Sequence, residues 1–97
     1  MPPPREYRSI TKEALLHKYQ TENWEQKLSQ YSLTQWRCGN FKIGFEWHDN
    51  DGDLICRLFK YNNPLGINIV VRQLRDGDVF YDIDLPPDTV LLHPIQA

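Results

Sequence analysis

The sequence predicts an α+β domain: an N-terminal helical segment over 11–31, one bent or two short helices, packed on a five- to six-stranded antiparallel β-meander over 33–95. Three observations predict it. Apolar residues follow a helical period up to Tyr31 and alternate from Leu33 onward. Every alternating run is followed by turn-forming residues. The chain has 97 residues, 40% of them hydrophobic and 25% charged, which is enough for one modest core and a single domain.

The elements follow in chain order. "MPPPREYRS" is Pro-rich and lacks an apolar run, so residues 1–9 are read as a stiff, extended arm and not as a secretory signal. Ile10-Thr11 before "KEALLHKYQ" is a helix start, with Thr11 placed to cap and Ile10 to staple onto Leu15. At about 100° per residue, Leu15, Leu16 and Tyr19 form one stripe and Trp24, Leu28 and Tyr31 another, pointing elsewhere. Thr21-Glu22 between them is expected to cap a second helix.

The strand-like runs are "LTQWRC", "FKIGFEWH", "DLICRLFKY", "INIVVRQL" and "VFYDIDL", with "TVLLHP" as a sixth candidate. Their connections are Gly39-Asn40, the Asp49–Gly52 loop, "NNPLG", "RDGD" and "PPDT". Asn63-Pro64-Leu65-Gly66 suits a type I turn. A two-residue turn at Asp51-Gly52 sets Trp47 opposite Cys56, Phe45 opposite Leu58 and Glu46 opposite Arg57. Phe41, Ile43, Phe45 and Trp47 then share the helix-side face with Leu54, Cys56 and Leu58, and Glu46–Arg57 is an ion pair on the other face. For the last hairpin the pattern favours a three-residue loop with Gly77 as a left-handed bulge, setting Ile69 opposite Ile83 and Val71 opposite Tyr81.

Charge excludes little but ranks the options. The net charge of −2 disfavours nonspecific nucleic-acid binding. All eleven Lys and Arg residues precede Asp76; from there on the chain carries Asp76, Asp78, Asp82, Asp84 and Asp88 and no Lys or Arg. No apolar run is long enough to span a membrane as a helix.

"HDNDGD" at His48–Asp53 concentrates an imidazole and three carboxylates. Counted from Asp49 as a calcium loop, the required Gly and Glu positions hold Leu54 and Lys60, and strands rather than helices flank it. Asn, Asp and Gly are what a tight hairpin needs, so the reading is an acidic turn, with a weak cation site of Asp49, Asp51 and Asp53 as the alternative. Cys38 is placed beside Phe41 and Cys56 beside Trp47, about 20 Å apart along one strand, beyond the roughly 7 Å a disulfide spans. Two free, largely buried thiols and a reducing, cytoplasmic setting are expected. No metal or cofactor motif is present in the sequence, and no phosphate-binding glycine loop or nucleophile elbow.

The informative feature is the face turned away from the helices. It is expected to carry Arg37, Lys42, Glu46, Arg57, Phe59, Tyr61, Val70, Arg72 and Phe80. One helical layer covers one side of a sheet, so aromatics there need another cover: the arm or C-terminal tail, or a partner. The leading expectation is a small non-catalytic protein-interaction or accessory domain, self-associating or binding another protein through Arg57, Phe59, Tyr61, Arg72 and Phe80. The first alternative is a single-stranded nucleic-acid binder using the same face, with Arg37 and Lys42 on phosphates. The second is a small enzyme around Glu46, His48 and Arg57.

Overall fold

The computed structural model describes residues 4–84, 90 and 91. Its elements are β1 (Glu6–Ser9), α1 (Lys12–Thr21), α2 (Trp24–Lys27) running into a 3-10 turn at Leu28–Gln30, β2 (Ser32–Cys38), β3 (Lys42–His48), β4 (Leu54–Asn63), β5 (Gly66–Asp76), β6 (Val79–Asp82) and β7 (Val90–Leu91). They form an α+β fold in which two short helices pack on one side of a mostly antiparallel sheet of order β2-β3-β4-β5-β6-β1-β7. No helix among the described residues is long and apolar enough to cross a membrane. The expected contacts of the "PPDT" turn and of Leu85 lie outside the described residues.

The helical segment breaks where the two apolar stripes part. Thr11 caps α1, its hydroxyl accepting from the Ala14 amide at 3.1 Å. The break itself is made by Asn23, left-handed at φ 57°, and not by a Thr21 or Glu22 cap. An Asn tolerates that conformation at little cost, and the turn it makes redirects Trp24 and Leu28 onto the sheet. Leu15, Tyr19, Trp24 and Leu28 meet Ile55, Cys56, Leu58, Val71 and Leu74 in one cluster. Lys18 fastens the C-terminal end of α1 to the end of β5, bridging Glu22 and Asp76 at 2.9 Å each.

The five expected strands of the meander are β2 to β6, consecutive in space. The arm does more than extend: Glu6–Ser9 adds a parallel strand beside β6, and β7 pairs on its far side. The middle of the sheet has the expected register, with Phe45 opposite Leu58, Glu46 opposite Arg57 and Trp47 opposite Cys56. The turn that delivers it is longer than two residues. Asp49 pairs its backbone with Asp53, Gly52 is left-handed at φ 83°, and the register shifts at Trp47/His48. The extra residue falls on β4, so Ile55 and Cys56, adjacent in sequence, are both buried.

Two expected registers are corrected. Cys38 pairs with Lys42, not Phe41, because the loop after it has three residues, 39–41, opening on left-handed Gly39. One added loop residue turns every side chain of β2 over. Arg37 therefore lies opposite Ile43 on the helix side, and Trp36 takes its place on the other face. The last hairpin turns at Gly77-Asp78, so Leu74 faces Tyr81 and Asp76 faces Val79. The Gly77 bulge, with Val71 opposite Tyr81, is absent because the bulge sits elsewhere. Arg57 pairs with Gln73 but Leu58 with Val71, leaving Arg72 as the extra residue of β5. Past Arg72 the alternation inverts, and Leu74, not Gln73, joins the core.

Gly44 is required by space. A Cβ there would run into the Trp36 ring, which lies over this glycine and meets Phe59 edge-on at 5.8 Å. Gly44→Ala is expected to cost about 1–3 kcal/mol in urea unfolding through overpacking. Burial pushes both the Cys56 thiol and the Tyr19 phenol up to about 12, from ordinary values of 9.0 and 10.0. The fold holds both neutral while the unfolded chain ionises them. Stability is therefore intact below about pH 9 and falls as pH rises toward 12. A urea midpoint series across that range checks this, and iodoacetamide at pH 8 should modify half-buried Cys38 well before Cys56.

Candidate functional site

The side chains read as a site fall into three places. Across the face away from the helices, the register aligns Thr34, Glu46, Arg57, Gln73, Asp82 and Ser9 in one polar row spanning six strands. Arg57 donates to Glu46 at 3.1 Å, and the Gln73 amide donates to Asp82 at 2.9 Å. The row partly neutralises itself, with each charge half-buried beside an opposite or amide partner.

The next row toward the Asn63–Gly66 turn is Trp36, Gly44, Phe59 and Val70. Phe59 is 7% exposed. Trp36 covers one side of its ring, the Lys42 ammonium lies 4.2 Å from its centre, and the Arg72 guanidinium 5.8 Å. Phe59 is thus the centre of a small second core and not an exposed anchor, a correction to its expected role. Long side chains of the sheet itself supply the cover that a second helical layer would otherwise give.

The other expected contact residues are dispersed. Tyr61 is half-buried and takes Lys42 against its ring at 5.0 Å. Arg72 is salt-bridged to Asp84. Phe80 lies one strand further on, opposite Arg75, and the arm packs on it: Tyr7 is 8% exposed and its ring lies tilted 5.5 Å from that of Phe80. Arg37 and Lys42, the expected phosphate contacts, are on opposite faces. A single strand of nucleic acid lying on one face therefore cannot use both.

The enzyme alternative does assemble geometrically. His48 Nε2 lies 3.9 Å from Glu46 Oε1, the same oxygen that Arg57 holds. That oxygen is already the acceptor of a charge-assisted bond, and the clefts described below do not contain these groups. The Asp49, Asp51 and Asp53 carboxylates come within 4.8 Å of one another. Asp49 Oδ1 accepts from the backbone amides of Asp51 and Asp53 at 2.9 Å each, which is the work of a turn.

A further candidate surface, absent from the sequence reading, is on the helix side. Ile43 shares that face with Phe45 and Trp47, which pack against the core, and Phe41, whose carbonyl accepts from the Asn62 amide, continues the ladder beyond it, but neither Phe41 nor Ile43 joins the cluster under the helices. Phe41 is 68% exposed, Ile67 66% and Leu65 99%, with Ile43 at 37%. Arg37, Ile43, Lys60 and Ile69 form one row across this end, and Asn62 pairs with Ile67 in the next. A shallow cleft of about 430 Å³ opens between Phe41 and Asn62–Pro64. A larger one of about 700 Å³ runs between Lys12, Leu16 and Gln20 of α1 and Ile67–Val70 of β5. The available signal was helix length: ten residues of α1 reach about 15 Å, while eleven of β5 reach about 36 Å.

Two substitutions separate core from surface. Phe59→Glu buries a charge in the second core and is expected to leave the chain largely unfolded by circular dichroism. Phe41→Glu removes an exposed ring and should leave the unfolding midpoint within the small range of surface substitutions, about 0.5 kcal/mol.

A scan against protein-family models and searches of curated proteins and of solved structures found no match.

Proposed function

We propose that this chain is a non-catalytic protein-interaction domain and that its contact surface is the uncovered end of the helix-side face. The observation that carries this reading is the exposure of Phe41 and Ile67, on either side of Asn62, next to the Ile43–Lys60–Ile69 row of the face that forms the core, with Leu65 exposed at the hairpin tip. Contiguous apolar surface on a folded domain is characteristic of a docking site, and large rings and aliphatic chains are what a partner desolvates with profit. The expected contact set moves accordingly, from Phe59 and Phe80, which are covered, to the apolar end of the same sheet. The two cysteines left as free thiols fit a reducing compartment such as the cytoplasm.

Neither alternative has comparable support. Nucleic-acid stacking needs exposed rings beside basic groups, and Phe59 is buried while Arg37 and Lys42 are split between faces. Catalysis at Glu46 and His48 needs a substrate-sized cavity around them.

The reading is tested with an Ile67→Asp, Phe41→Asp double variant. Partners recovered by affinity purification with the wild type, or a self-association seen by light scattering, should be lost in the variant. Its circular dichroism and urea midpoint should match the wild type within about 0.5 kcal/mol. Unchanged association in a folded variant would place the contact surface elsewhere.

A further inference from the structure

The charges around the apolar end specify what it binds. Residues 37–45 and 58–71 contribute Arg37, Lys42 and Lys60 and no carboxylate. Two of these cations are embedded in the patch itself: Arg37 lies opposite Ile43, and Lys60 between Ile43 and Ile69. Arg37 and Lys60 have no carboxylate partner among the described residues; the Lys60 ammonium rests 5.0 Å from the Phe45 ring. Where the larger cleft reaches α1 the charges are mixed, with Lys12 and Arg72 alongside Glu13 and Asp84, and Asp84 is held by Arg72. The acids of the hairpin turns, Asp49, Asp51, Asp53, Asp76 and Asp78, are at the opposite end of the sheet.

We infer that the uncovered end of the helix-side face docks an acidic, amphipathic segment of a different protein, apolar side chains on Phe41, Ile43 and Ile67 and carboxylates on Arg37 and Lys60. This rests on the interaction reading above and adds the partner's chemistry. A second copy of the chain is the wrong occupant. In a two-fold contact the same patch meets itself, so the cations of both copies are brought into one interface to which the patch contributes no carboxylate. An acidic segment instead removes apolar surface from water and pairs both cations in one step, and those rim charges also hasten encounter. A segment laid along this end would extend the layer that α1 begins, since both lie on the same face of β5.

The test is a selection of random peptides displayed on phage against the intact chain, followed by anisotropy titration of synthetic copies of the selected peptides. The expected peptides combine large apolar residues with net negative charge. Their affinity should fall about tenfold or more for Arg37→Glu/Lys60→Glu, and should weaken with added salt. Copies with Lys in place of their acidic residues should recover binding to that charge-reversed variant. Neutral or basic selected peptides, or acidic ones indifferent to the reversal, would overturn the inference. So would an oligothymidine strand that binds the wild type at this end and is lost on charge reversal. A dimer abolished by Ile67→Asp would keep the interaction reading and overturn the acidic foreign partner. A patch that takes up no peptide, no oligonucleotide and no second copy would overturn both.

Discussion

The structure turns on a mismatch of length between the helical layer and the hairpin it covers. β4 and β5 have ten and eleven residues and form the spine of the sheet. At about 3.3 Å per residue against 1.5 Å for a helix, one ten-residue helix spans less than half of that spine. α1 is pinned at the Asp76 end through Lys18, so the shortfall falls at the opposite end, around Phe41, Leu65 and Ile67. The core and the candidate surface are therefore one apolar face, divided by where the helices stop.

Which side chains reach that face is decided by single residues. The extra residue at Ile55 in β4 lets two neighbours enter the core, and the one at Arg72 in β5 lets Leu74 join Val71 on the same side. The same bulge places the Arg72 guanidinium against Phe59, completing the cover of the second face. A bulge here re-aims a charged chain and keeps the hydrophobic alternation useful beyond it. With Gly44 leaving room for Trp36, the face without helices closes over its own aromatics and needs no second layer.

Most of the architecture was legible in the sequence because the period change at Leu33 and the Thr11 cap are local signals, and the structure keeps both. The middle register was legible for a different reason: only one pairing puts Phe45 and Leu58 together with Glu46 and Arg57 together. Its turn was misjudged and the strand register survived, since a longer loop and a bulge compensate. Where no such opposed pair constrained the choice, at Cys38–Lys42 and at Gly77-Asp78, one residue of loop length went unread and faces were exchanged. That is why Arg37 was assigned to the wrong side. The parallel strand Glu6–Ser9 left no signal at all, because "PREYRS" neither alternates nor ends in a turn. Its position depends on the open side of β6, a long-range fact. The uncovered apolar end went unread for the same reason: a strand pattern tells which face is apolar, but not how far a helix packed on it extends.

Stability gives little reason for the apolar residues at the uncovered end. Full burial of an Ile or Phe side chain stabilises by about 1.5–3 kcal/mol, and residues as exposed as Phe41 and Ile67 retain a minor part of that. Leu65, at the tip of the hairpin, retains almost none. Polar side chains of similar strand propensity would serve the monomer as well and would not risk aggregation at an exposed sheet face. At this end Arg37 and Lys60 stand beside Ile43 with no carboxylate partner among the described residues, whereas the cations at Phe59, Lys42 and Arg72, lie against its covered ring. Apolar surface that folding does not use, guarded by like charge against its own copies, is what a domain requires when the surface is to be used by another molecule.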